Sequence, residues 1–342
     1  RYLFREKQVD VFVFSTEGEL FDNLYDEGQI LSLTPFLQES DAIDLNDFYP
    51  SLLEPYSIEG SVWAVPAGVD FGVIYYNKDL FDQYNAAYPE AGWTWDDLLM
   101  AAMSVRDPDD DIYGFVSSPI FVVPFVYQHG GRIVDDWHAP TRLKVDDPET
   151  IEAVEWYAAL IHDHDVMPSP KEIERRGGGY GPGYLWVLGK AGMYHGMFPY
   201  ERGGQTWPRE ARWQRNWGVA PLPRDAHAAR TGMVWAYAIA ADTQHPEACW
   251  EWVSYLSQRP LPFTMPARRS LAEGSDFEEE VGAKEAALAR AAIEDALILT
   301  DMHVAALSSE TSGFIETLEA ILNGDVDAES ALIELQRRAD AE

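Results

Sequence analysis

At 342 residues the chain exceeds the roughly 100–200 residues of one compact domain, so two domains are expected. An apolar fraction of 46% supports buried cores, and no segment nears the roughly 18 uninterrupted apolar residues of a membrane span. Against 58 Asp+Glu stand 25 Lys+Arg, a net charge of −33; that field repels phosphate backbones and anionic headgroups and excludes nucleic acid and the membrane surface as expected partners.

In chain order, Val9-Asp10-Val11-Phe12-Val13-Phe14 reads as a strand, and Gly72-Val73-Ile74-Tyr75-Tyr76 as another. Thr94-Trp95-Asp96-Asp97 opens a helix with Thr94 as N-cap and an acid three residues on. Asp147-Pro148-Glu149-Thr150 opens a second, carrying Val154, Trp156, Tyr157 and Leu160 at helical spacing. Periodicity is lost around 175–183 and again over 203–215, which predicts loops. Pro246 heads an amphipathic helix that contains the single cysteine, Cys249, read as buried. Three helices are predicted to close the chain, over about 277–299, around 314–322 and after Asp327, with Asn323-Gly324 as a stop. Alternating strands and helices of this kind make an α/β fold.

Few residues invite chemistry. The glycines at 177–179, 181 and 183 lack the flanking strand and helix of a phosphate cradle. His162 and His164 are two apart and point to different faces, which suits a solvated helix end better than a metal site. No Gly-x-Ser-x-Gly elbow is present. One cysteine excludes an internal disulfide. No metal or cofactor is expected.

Asp70 lies in an apolar stretch, Val65-Pro66-Ala67-Gly68-Val69-Asp70-Phe71-Gly72, where a carboxylate is costly without a partner. It accepts hydrogen bonds either from the protein or from the hydroxyls of a ligand. Trp235 and Tyr200 sit in stretches suited either to core packing or to stacking on the C–H face of a sugar ring. Six lysines beside nineteen arginines and abundant carboxylates fit a surface adapted to high salt, or an acidic protein from a GC-rich genome.

Several of these stretches form an ordered set that resembles the extracellular solute-binding proteins of ABC importers, the family that includes maltose-binding protein. Val9-Asp10-Val11-Phe12-Val13 resembles its Pro-Asp-Val strand, and Gly28-Gln29-Ile30-Leu31-Ser32-Leu33-Thr34-Pro35 its following segment. Gly60-Ser61-Val62-Trp63-Ala64-Val65-Pro66, continuing to Tyr76-Asn77-Lys78-Asp79-Leu80, is the strongest block, followed by the Thr94 helix start. Gly189-Lys190-Ala191-Gly192-Met193, Trp217-Gly218-Val219-Ala220-Pro221 and Trp235-Ala236-Tyr237-Ala238-Ile239 with the Pro246 helix complete it.

The resemblance implies a two-lobed periplasmic-binding-protein type II fold closing on a central ligand cleft. It implies a first lobe of 1–68 plus about 236–264 and a second of 73–230 plus about 268–342, with hinge crossings near 68–72, 231–235 and 265–269. The family's opening strand, helix and strand, roughly fifty residues, are absent ahead of this chain, as is an export leader, so a truncated first lobe is expected. By resemblance Asp70 matches a carboxylate that contacts sugar hydroxyls; Ser15, Thr16 and Glu17 line the cleft; Phe121, Phe198 and Tyr200 lie on loops that supply aromatic contacts, joined by Trp235. The implied function is a monomeric, extracytoplasmic binding subunit with no catalysis of its own, which takes a sugar and docks on ABC transporter membrane subunits. The alternatives are a glycosidase using two cleft carboxylates, and a binder of glycerol-phosphate-type ligands using Arg202, Arg209, Arg212 and Arg215.

Overall fold

A computed structural model describes residues 9–16, 20–39, 41–137, 140–177, 181–198, 216–262, 264–298 and 313–341. Glu17, Tyr200 and the arginine-rich stretch 202–215 lie outside the described residues. The described residues form a mixed α/β fold built on an eight-stranded sheet. Its strands are β1 (Val11–Ser15), β2 (Val65–Asn77), β3 (Tyr113–Val116), β4 (Ala191–Phe198), β5 (Trp217–Ala220), β6 (Arg230–Ile239), β7 (Met265–Pro266) and β8 (Ala296–Ile298). The path runs β1-β6-β2-β4-β3, with β5 and β7 also on β2 and β8 also on β6.

β2 organises the molecule. All thirteen of its residues are buried. Residues 65–71 pair antiparallel with β6, while 71–76 pair with β4 and 74–77 with β5. The change of partners falls at Phe71 and Gly72. The three segments expected to cross between lobes meet along this strand, since Val69 faces Met265 and Val234 while Gly68 faces Pro266 and Trp235.

Strand alternation divides the two hydrophobic clusters. Val65, Ala67, Val69, Phe71, Val73 and Tyr75 point into a first cluster. Ile74 and Tyr76 point to the other face, into a second cluster with Leu98, Phe125, Val154 and Tyr157. The helix Trp95–Val105 is fixed at its start as the sequence predicts: Thr94 Oγ1 accepts from the Asp97 amide and Asp97 Oδ2 accepts from the Thr94 amide. Such caps stabilise by about 1 kcal/mol. The helices Pro148–His162 and Pro246–Ser257 form where their prolines predict, and Cys249 is buried.

Two expectations change. The predicted helix over 277–299 is two helices, Ser275–Val281 and Ala283–Ala292, followed by a 3-10 turn and β8. Gly282 separates them with φ +100°, a backbone angle no helix accepts. Arg175 and Arg176 continue the helix Pro170–Gly177 where a loop was expected, whereas the end of the helix Pro148–His162 is exposed as expected, with His162 Nε2 3.1 Å from the Ile321 carbonyl.

The largest correction concerns the segment after 268, expected in the second lobe. Arg268 Nε donates to Asp47 Oδ2 at 2.6 Å, and Ser270 donates to the same carboxylate through its amide and hydroxyl at 2.9 and 2.6 Å. Ala272, Phe277, Ala289 and Ile298 then fill the first cluster. Among the described residues the helices Phe314–Leu322 and Ala328–Ala339 join the second, where Gln336 bonds the Val145 amide and the Leu143 carbonyl.

Candidate functional site

The site grows out of the β2 face that carries Asp70. On this face the second cluster covers the strand from Ile74 onward. Before that point the positions are Gly68, Asp70 and Gly72, and neither glycine has room for a side chain. A Cβ on Gly68 would lie 1.9 Å from Thr264 Oγ1, and one on Gly72 would lie 2.9 Å from His195 Nε2. Two bare positions therefore bracket one carboxylate.

Asp70 is fully buried, and Trp235 Nε1 donates to its Oδ2 at 2.7 Å. The partners meet because β6 and β2 pair with a register shift between Pro66 and Gly68, which sets Trp235 opposite Gly68 and Met233 opposite Asp70. A buried carboxylate needs such donors, because desolvation without them costs several kcal/mol. Ser15 pairs with Trp235 across β1 and β6. Ser15, Met233 and Trp235 are all half-buried, so this part of the face is partly open.

On the other side of Asp70 stands His195, a residue the sequence reading passed over. It pairs with Ile74 across β4 and β2 and is fully buried. Its ring stacks on Phe121 with centroids 4.1 Å apart and planes at 18°. Neither ring nitrogen has a hydrogen-bond partner among the described residues. Burial pushes its pKa down to about 3, so the imidazole is neutral at ordinary pH. An orphaned buried polar atom costs about 1–3 kcal/mol, so this arrangement stands out from the packed core around it. The signal available in the sequence was strand alternation: from Met193 in the second cluster, the next residue on that face is His195.

The remaining expected residues separate. Phe121 is half-buried on the turn Pro119–Val122, beside the Asp70 face. Phe198 is a correction: it is fully buried on the opposite face, paired with Phe71 and 5.9 Å from its ring, so it packs the first cluster and presents nothing to Asp70's face. Thr16 is likewise turned away from Ser15, 2% exposed, with its hydroxyl oxygen accepting from the Val234 amide at 3.1 Å. The same Val234 carbonyl takes the Thr16 amide and the Tyr56 hydroxyl, so Thr16 anchors the edge of the sheet. Ser15, Asp70, Phe121 and Trp235 remain on or beside one face, and His195 joins them.

Among the described residues no group of three or more His, Cys, Asp and Glu could hold a metal ion, and no helix is long and apolar enough to cross a membrane.

Comparison with known proteins gives the family. Residues 5–259 match the family described as bacterial extracellular solute-binding protein. A binding protein of Brucella abortus is 23% identical over 220 residues, covering 62% of this chain and 50% of that protein. The mannitol-binding protein of Pseudomonas aeruginosa is 36% identical over 70 residues, 20% of this chain and 16% of that one. The chain thus spans about half the length, or less, of these curated relatives. An ABC substrate-binding protein from Listeria monocytogenes, solved in complex with cycloalternan, shares the fold with a TM-score of 0.81 at 20% identity, covering 99% of this chain and 86% of that one. UgpB from Mycobacterium tuberculosis, solved with glycerophosphocholine, shares it with a TM-score of 0.74 at 18% identity, covering 97% and 83%. The family match covers most of the sequence and the fold agrees over nearly all of it: the chain belongs to the bacterial extracellular solute-binding proteins.

Proposed function

We propose that this chain binds a sugar or polyol in the cleft at Asp70 and delivers it to the membrane subunits of an ABC importer, without chemistry of its own. The observation that carries the reading is a fully buried carboxylate, held by an indole N–H, on the strand that runs through both halves of the sheet. A carboxylate flanked by Trp235 and Phe121 suits a ligand with many hydroxyls and apolar ring faces. Relatives named for mannitol or solved with cycloalternan agree with that class.

In this reading the first lobe holds the residues before 68 and those of 236–298, and the second holds 73–230 and 313–341. The lobes part and close about the change of partners at Phe71 and Gly72 and about β6. The protein works outside the cytoplasm as a monomer, with an acidic surface suited to high salt.

Thermal unfolding against mono- and oligosaccharides, mannitol and glycerol-3-phosphate tests the function. A ligand at 100 times its Kd adds about 2.7 kcal/mol, a shift of several degrees for a chain of this size. A shift from a sugar or polyol, with the ligand recovered unchanged, supports a binder. Hydrolysis that disappears in Asp70→Asn would replace it with a glycosidase, and a shift from glycerol-3-phosphate alone would change the ligand class.

A further inference from the structure

We infer that His195 is a second polar contact for the ligand, reading a hydroxyl of a neutral polyhydroxyl molecule beside the group that Asp70 accepts. The inference rests on the sugar- or polyol-binding reading above and deepens it, because it names a specificity-determining residue and the ligand charge it admits.

The geometry begins with β2. Asp70 and Gly72 are two residues apart on one strand, hence on one face and about 6.6 Å apart along it. His195 faces Ile74 in register, yet its Nε2 leans over Gly72, 2.9 Å from where a Cβ would stand. The ring therefore reaches along the strand toward Asp70, and glycine is what permits it. Phe121 stacks on the ring and fixes its plane. Packing holds the imidazole while leaving both nitrogens without protein partners among the described residues. Nearby, the buried Tyr157 hydroxyl interacts with the Ser117 side chain. Tyr157 lies 5.0 Å from Phe125 between ring centroids, and Phe125 in turn lies 6.2 Å from His195.

The chemistry follows from what each group offers. A neutral imidazole presents one N–H donor and one lone pair, while an ionised carboxylate only accepts. A hydroxyl both donates and accepts, so adjacent hydroxyls of a sugar or polyol complement the pair. A phosphate, which chiefly accepts, finds in this pair only the imidazole N–H as a donor, beside the acceptor oxygens of Asp70. The two residues together select uncharged ligands over phosphorylated ones.

The test is isothermal titration of the full chain with the best neutral ligand of the thermal panel and, separately, with glycerol-3-phosphate. Four variants accompany the wild type: His195→Leu, His195→Gln, Gly72→Ala and Asp70→Asn. His195→Leu is expected to weaken the neutral ligand 10- to 100-fold without lowering the melting temperature of the free protein, because it removes orphaned polar atoms from a buried place. His195→Gln keeps a donor and an acceptor and is expected to stay within a few-fold of wild type. Gly72→Ala displaces the ring and is expected to fall between the two. If His195→Leu fails to fold, Gly72→Ala and His195→Gln decide the matter through the same ordering.

Wild-type affinity in His195→Leu, alongside lost affinity in Asp70→Asn, overturns the inference and leaves the binding site at Asp70 standing. Wild-type affinity in both overturns the site itself. Binding of glycerol-3-phosphate in preference to every neutral ligand overturns the selection of charge.

Discussion

The two faces of β2 are made by the same thirteen residues and do different things. The face toward the first cluster carries Ala67, Val69, Phe71, Val73 and Tyr75 and is closed along its length by apolar side chains, Phe198 among them. The opposite face begins with Gly68, Asp70 and Gly72 and becomes apolar only at Ile74. One face is a wall of the core. The other breaks the same pattern with two bare glycines, a carboxylate and a histidine whose ring nitrogens have no partner among the described residues, the break on which the proposed ligand site rests.

The largest expected effect tests the closed face. Phe198→Ala removes a fully buried ring and should cost about 3–5 kcal/mol in chemical denaturation while leaving ligand affinity of the folded protein unchanged. Lost affinity with little loss of stability would show that Phe198 faces the ligand after all.

A second prediction separates two histidines by pH. The folded-state pKa of His195 lies below its unfolded value, so the unfolded chain takes up the proton first. Stability then falls as pH drops below about 6.5 toward 3, by up to about 1.4 kcal/mol per pH unit, and His195→Leu should flatten that slope. His129 behaves oppositely. Burial works against its imidazolium, but Asp225 at 2.5 Å and Glu152 at 3.1 Å outweigh it and raise the pKa. Its contribution is complete below the unfolded value and is lost as pH rises through the folded one, and His129→Gln should remove that part. Urea denaturation across pH 4–8 measures both, and slopes of equal sign would contradict the assignment.

The smallest effect is local. Thr94→Ala deletes the capping box of the helix Trp95–Val105 and should cost about 1 kcal/mol in thermal or urea unfolding. Ligand affinity should not move; a tenfold change would mean that the helix is coupled to the site.

Much of this was legible in the sequence, because local chemistry wrote it. Thr94 and Asp97 announced a helix, Pro148 and Pro246 two more, and the apolar run to Tyr76 a strand. Asp70 was legible as an anomaly, a charge inside an apolar stretch. What failed needed information about faces and cores that residue types do not carry. Phe198 was placed on the ligand side, but a shift of one residue along a strand moves a side chain to the other face. The segment from Arg268 to Ile298 was assigned to the second lobe by resemblance, yet its contacts with Asp47 and the packing of Phe277 and Ala289 join it to the first cluster. Gly282 lies inside the helix predicted over 277–299, although its φ of +100° ends one helix before the next begins. His195 drew no reading from the sequence, and it stands out only once Phe121, Gly72 and the lack of partners for its nitrogens among the described residues are seen together.

The most direct measurement is a titration of the best ligand from the thermal panel into wild type and Asp70→Asn, each first shown to fold cooperatively. The account predicts a Kd at least tenfold weaker in the variant, about 1.4 kcal/mol or more, with the free protein still folded. Equal affinity in the two proteins would contradict it and move the binding site away from the face that Asp70, Trp235 and His195 share.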